Sequence, residues 1–203
     1  MCIGESFMHR TLICSFLMVG GLAMAQDASK AKDRSTAQTA GETNRMENMA
    51  SDKTFVMNAA MGGMAEVEMG KLAEQKASDD RVKQFGQKMV NDHSKANEDL
   101  KSVASAQKID MPASLDSKHQ ATIDRLNKLS GTAFDHAYVR EMVKDHNEDV
   151  KEFQKEAQNG QDSAVRAFAS KTLPTLQEHQ RMILDISKST SKGTSTSADR
   201  SKQ

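Results

Sequence analysis

The chain predicts an all-α fold: four long helices running up, down, down and up, with a short crossover helix between the second and third. Three observations predict it. Beyond residue 25, nearly all the large apolar side chains fall within residues 51–188, where they recur at helical spacing. That stretch has only two prolines, Pro112 and Pro174, and no long β-branched run. Finally, Met-Val-x-Asp-His is written twice, at 89–93 and 142–146, as one layer of a bundle repeated on two rods would be.

The chain begins with a segment expected to be removed. Arg10 precedes an apolar run from Leu12 to Ala25 that closes with Ala23-Met24-Ala25, the small-x-small pattern of a secretory signal. Residues 1–25 are therefore expected to be a signal peptide, its apolar run too short to span a bilayer comfortably. The mature protein is expected in the periplasm or cell envelope, with no transmembrane anchor after cleavage. Cys2 and Cys14 both fall in this segment, which excludes redox-thiol chemistry and cysteine zinc sites from the mature chain. Residues 26–50 and 189–203 have almost no large apolar side chains. They are expected to be a disordered linker and a disordered tail, because too little burial offsets the entropy of ordering them. Residues 51–188 make one domain's length.

End signals bracket the helices. Ser51-Asp52 can cap a first helix to about Ala77, and Ser78-Asp79-Asp80 a second to about Gln107. Leu115, Ile123, Leu126 and Leu129 mark a short amphipathic helix within 112–130, a stretch that would reach about 28 Å if fully helical. That length lets the chain cross the bundle, so that helices two and three run parallel. The third long helix starts near Thr132, after Gly131. Asn159-Gly160 supplies a left-handed stop, and Asp162-Ser163 starts the last helix.

Four polar residues interrupt the apolar stripes at one height. Glu66, His93 and His146 each lie 14 positions after Asp52, Asp79 and Thr132, and His179 lies 16 after Ser163. Each falls among inward-facing positions, so each must find a partner. Three imidazoles and a carboxylate suit a single iron, zinc or copper ion as cofactor. Asp92, Asp145 and Glu178, immediately before the histidines, are placed either to orient the rings or to stand in solvent. The same layer could instead pair internally and fix helix register. His119 and His136 lack this convergence.

Methionine is the second feature. Met57, Met61 and Met64 share a face of the first helix, with Met69 further along and Met46 and Met49 upstream. Thioethers are soft ligands for Cu(I), although this spacing also suits core filling. Pro174, one turn before His179, predicts a kink or local bulge. "VKQFGQK" at 82–88 and "VRAFASK" at 165–171 form a second repeat, which competes with the Met-Val-x-Asp-His match.

With these residues in place, "AEVEMGKLA", the two Met-Val-x-Asp-His segments and "LPTLQEHQRM" resemble the exported bacterial family called domain of unknown function 4142. The resemblance covers roughly Asp52 to Lys188 and implies a ferritin-like helical bundle, with no established reaction. Ferritin-like di-iron sites need Glu-x-x-His on facing helices, whereas Val90 and Leu176 stand three residues before His93 and His179. That ligand set is therefore not carried over.

Lys and Arg balance Asp and Glu at 28 each, which argues against capture of nucleic acid. No nucleophile elbow or phosphate-cradling glycine loop is present; Gly62 and Gly63 sit inside a helix and imply close packing. Two classes remain. One is an exported metal-binding protein; the other is a non-catalytic envelope scaffold or stress-related protein whose charged face (Lys144, Glu148, Lys151, Lys155) meets a protein partner.

Overall fold

A computed structural model describes residues 27–199 and, within them, the side chains of residues 50–190. The predicted signal peptide, with Cys2 and Cys14, lies outside the described residues, as do the side chains of Met46 and Met49. The chain divides into two units, residues 1–42 and 43–203. The described part of the first is helix from Asp27, and the second holds the core and the site.

Among the described residues the fold is all-α, with five helices: α1 (Asp27–Lys76), α2 (Asp80–Ala106), α3 (Ser117–Asn127), α4 (Gly131–Asn159) and α5 (Ser163–Asp199). Side-chain caps start three of them. Asp79 accepts from the Arg81 N–H at 2.9 Å, Asp116 from the His119 N–H at 2.8 Å, and Asp162 from the Ala164 and Val165 N–H groups at 2.8 and 3.0 Å. None of these helices is long and apolar enough to cross a membrane.

Three expectations change. Ser51-Asp52 lies inside α1 and does not start it, and α5 runs on to Asp199. Residues there are mostly small or polar, with Ala, Ser and Thr commonest, and extending a helix already nucleated needs no apolar burial. Gly160 is not left-handed: its φ is −55° and ψ 144°. Glycine is needed there because a Cβ would collide with the Glu156 side chain and backbone. Pro174 lies within α5, which runs on past it as helix.

Cross-helix contacts give the directions. Gly63 faces Asn97 while Gly70 faces Gly86, so α1 and α2 are antiparallel. Phe153 packs against Phe168 with the rings tilted, and Asn147 bonds Gln180, so α4 and α5 are antiparallel as well. Asn58 with Glu152 and Ser78 with Asp135 set α1 against α4, and Lys171 with Asp99 and Arg81 with Ser189 set α5 against α2. The backbones come close at Gly70 and Gly86, where a Cβ on either would stand 2.7 to 2.8 Å from the other's carbonyl oxygen.

The apolar core falls into two clusters. One gathers Met69, Phe85, Met89, Tyr138, Met142 and Ile183, closed over by Leu126 of α3. The other gathers Phe55, Val56, Leu100, Phe153, Phe168 and Leu176. Two buried aspartates tie the hairpin links. Asp135 of α4 accepts from the Ser78 and Asp79 N–H groups, at 3.1 and 3.0 Å, and from the Ser78 hydroxyl. Asp52 of α1 accepts from the Gln161 and Asp162 N–H groups, at 3.1 and 2.6 Å. Each hairpin thus holds the other's turn.

Candidate metal centre

The helical stripes that build the core also carry the histidines inward. His93 of α2 follows Phe85 and Met89, His146 of α4 follows Tyr138 and Met142, and His179 of α5 follows Leu176; their exposures are 5%, 0% and 1%. The three rings meet edge to face or tilted, with centroids 5.3 to 5.9 Å apart. One ring nitrogen from each lies within 4.8 Å of the other two.

Every ring has one nitrogen engaged and one bare. His93 Nδ1 stands 3.0 Å from Glu66 Oε2. His146 Nδ1 stands 3.0 Å from the Met142 carbonyl oxygen and 3.6 Å from Glu66 Oε1. His179 Nε2 stands 2.8 Å from Asp92 Oδ2. All these partners are acceptors, so the engaged nitrogen of each ring carries its proton. His93 Nε2, His146 Nε2 and His179 Nδ1 are buried and have no protein hydrogen-bond partner. In the neutral rings these are lone pairs, the form in which imidazole binds a metal ion.

Electrostatics follows the same layout. Burial pushes the Glu66 carboxyl up, but His93, His146 and His179 together outweigh it and bring it down to about 2. Burial opposes a proton on His93, yet the adjacent Glu66 raises its pKa above the usual value. At His146 burial prevails and lowers it. At His179 burial brings the pKa to about 4 despite the Asp92 hydrogen bond.

The other expected residues divide. Glu66, expected as an oxygen ligand, meets His93 and His146 on their Nδ1 sides. Asp92 orients His179, on another helix, rather than its neighbour His93. Asp145 and Glu178 touch no imidazole among the described residues: Asp145 pairs with Lys144 at 3.2 Å and Glu178 with Lys88 at 3.2 Å. Burial and the charge of Glu66 raise the Asp145 carboxyl to about 6. His119 is engaged with Asp116 at 2.7 Å, away from the layer. Met57 and Met61 border a surface groove and Met69 lies in the core.

Sequence reasoning missed two residues. Asp149 lines the same cavities as Glu66, and burial with that neighbouring charge raises its pKa well above the usual range. Its signal was present, three residues after His146 on the same helical face. The Tyr138 hydroxyl, two turns before His146, is buried without a protein partner.

The family model described as "Domain of unknown function (DUF4142)" matches residues 23–186. No curated protein matches significantly. The fold is similar to a solved DUF305 protein from Streptomyces coelicolor, itself proposed to be secreted, with 13% identity and a TM-score of 0.58. The match covers 70% of this chain and 92% of that one. It is also similar to a DUF305 fragment from Deinococcus radiodurans, with 10% identity and a TM-score of 0.59, covering 67% and 94%. At these identities the likeness speaks for the fold alone.

Proposed function

This chain belongs to the DUF4142 family, and on that premise we propose that it is an exported metal-binding protein. It is a ferritin-like four-helix bundle, up, down, down and up, holding one transition-metal ion at mid-bundle through His93, His146 and His179. The observation that carries the reading is the set of three buried, bare imidazole nitrogens from three helices, each ring turned by an acceptor at its other nitrogen. Carboxylate or carbonyl partners behind ligating histidines are the usual way a protein fixes ring orientation and tautomer for a metal. Three imidazoles suit zinc, copper or non-haem iron, and three protein ligands leave an open coordination position. Glu66 and Asp92 act here as orienting carboxylates. Export rests on the signal pattern at residues 1–25 and agrees with the secretion proposed for the Streptomyces neighbour.

Metal analysis of untagged protein, with melting curves before and after chelation, tests this. The expected result is one ion per chain, a lower melting temperature after chelation, and neither effect in a His93→Ala, His146→Ala variant. Protein that takes up no ion under any loading, and melts alike with and without chelator, overturns it and leaves a scaffold whose polar layer sets helix register.

A further inference from the structure

The metal-binding reading above raises a question of access. His93, His146 and His179 are 5%, 0% and 1% exposed, and apolar clusters close the core on both sides of them. A hydrated cation has to arrive by a polar path. Among the described residues a groove of about 350 Å³ opens between α1, α3 and α4. Its walls include Met61 of α1, His119 of α3, and Glu148 and Glu152 of α4, and it reaches inward to Gly62, Glu66 and Asp149. The same three inner residues also line a smaller chamber of about 20 Å³, whose wall includes His93. That volume holds about one water-sized particle. The buried Nε2 of His93 has no protein partner. Groove and chamber are therefore separated by two carboxyl groups and a glycine, with the histidine layer beyond.

We propose that this groove is the route by which a divalent transition-metal cation enters and leaves, with Glu148 and Glu152 as capture residues and Glu66 and Asp149 as the inner gate. The proposal rests on the metal-binding reading and adds a path to it. Six acidic side chains line the groove against a single lysine, Lys118, so its potential draws cations. The carboxylates replace lost hydration water with oxygen ligands at each stage. Gly62 matters because it leaves the passage clear: a Cβ built there meets no atom within 4 Å. A larger side chain would fit the fold and fill the path.

The test follows Co²⁺ loading of the metal-free full chain by stopped-flow absorption, and its removal by EDTA. A Glu148→Gln, Glu152→Gln variant should load several-fold more slowly, with a flatter salt dependence and the same final spectrum. A control that removes two charges elsewhere, Glu98→Gln with Asp185→Asn, should load at the wild-type rate. Gly62→Leu should slow loading and removal alike, leaving the dissociation constant unchanged, with circular-dichroism melting to check its fold. If all variants load fully at the wild-type rate, the route is wrong and the histidine site stands. A normal rate in folded Gly62→Leu overturns the route even when the charge variant is slow, since that pattern is surface steering alone. A wild-type chain that takes up no Co²⁺ overturns the histidine site, and the route with it.

Discussion

At His93, His146 and His179 the fold satisfies one imidazole nitrogen and gives the other no protein partner in the core. A buried polar group without a partner costs about 1–3 kcal/mol, and three in one layer weigh heavily against a total stability of about 5–15 kcal/mol. A purely structural layer gains nothing from that cost, whereas a bound ion removes it. His146→Leu therefore separates the cases. In chelated protein the variant should melt at or above wild type, since it removes a bare nitrogen from the fully buried ring. With excess zinc it should melt below wild type, and calorimetry in both conditions checks the crossing. Glu66→Gln should leave one ion bound with affinity lowered about 10–100-fold, the usual loss when an orienting partner is weakened. Loss of all binding in a folded Glu66→Gln chain would make Glu66 a ligand instead. The histidines were legible in the sequence because their spacing puts them on apolar stripes. Glu66 was legible as a buried residue, but its pairing with His93 and His146 was not, since which oxygen faces which ring depends on packing. Asp149 was overlooked because a charged residue between Glu148 and Val150 reads as part of the solvated face.

The starts of α2 and α5 were legible from the chemistry at those ends. Asp79 and Asp162 cap where expected, since an oxygen accepting the first free N–H groups is a local property of the chain. The outer ends of α1 and α5 were not, because weak propensity extends a helix without any apolar signature. Nor was the tie between hairpins, which needs residues 56 positions or more apart to meet. Asp135→Ala should destabilise the protein by roughly 3 kcal/mol, because it strands the Ser78 and Asp79 N–H groups; urea titration measures this. At the opposite link Asp52 faces Glu156, with Glu152 and Lys155 nearby. Burial, then Asp52, raises the Glu156 carboxyl to about 7 from an ordinary value of 4.5. The folded state holds that proton more tightly than the unfolded one. Its contribution is therefore full below about pH 4.5 and is lost as pH rises to 7 and beyond. Melting temperatures of wild type relative to Glu156→Gln should fall between pH 5 and pH 8.

The two hairpins follow one plan at an offset of 83 positions. Asp52 and Asp135 hold the opposite turns, Asp79 and Asp162 cap α2 and α5, Phe85 and Phe168 are buried, and Glu66 and Asp149 meet at the centre. The sequence carried this match in VKQFGQK and VRAFASK, and the shared structural roles favour it over the Met-Val-x-Asp-His pair. The plan breaks at the histidines: His93 and His179 stand 86 apart, with Pro174 between Phe168 and His179, and His146 corresponds to Gly63. One half thus supplies one histidine and the other two, so an ion bound to all three bridges the halves. This can be measured by cutting the chain. A protease site placed between α2 and α3, in the largely exposed stretch 107–116, would separate His93 from His146 and His179. The apolar contacts between hairpins, Phe55 with Phe153 and Phe85 with Tyr138, should keep the cut pieces together in dilute buffer. Once cut, however, their dissociation becomes concentration-dependent, and the ion opposes it directly. At free zinc one hundred times the dissociation constant the complex should gain about 2.7 kcal/mol. Urea should then separate the pieces at a distinctly higher concentration with zinc than with chelator, as read by size-exclusion chromatography. Pieces that part at the same urea concentration in both conditions would mean that no ion joins the two hairpins.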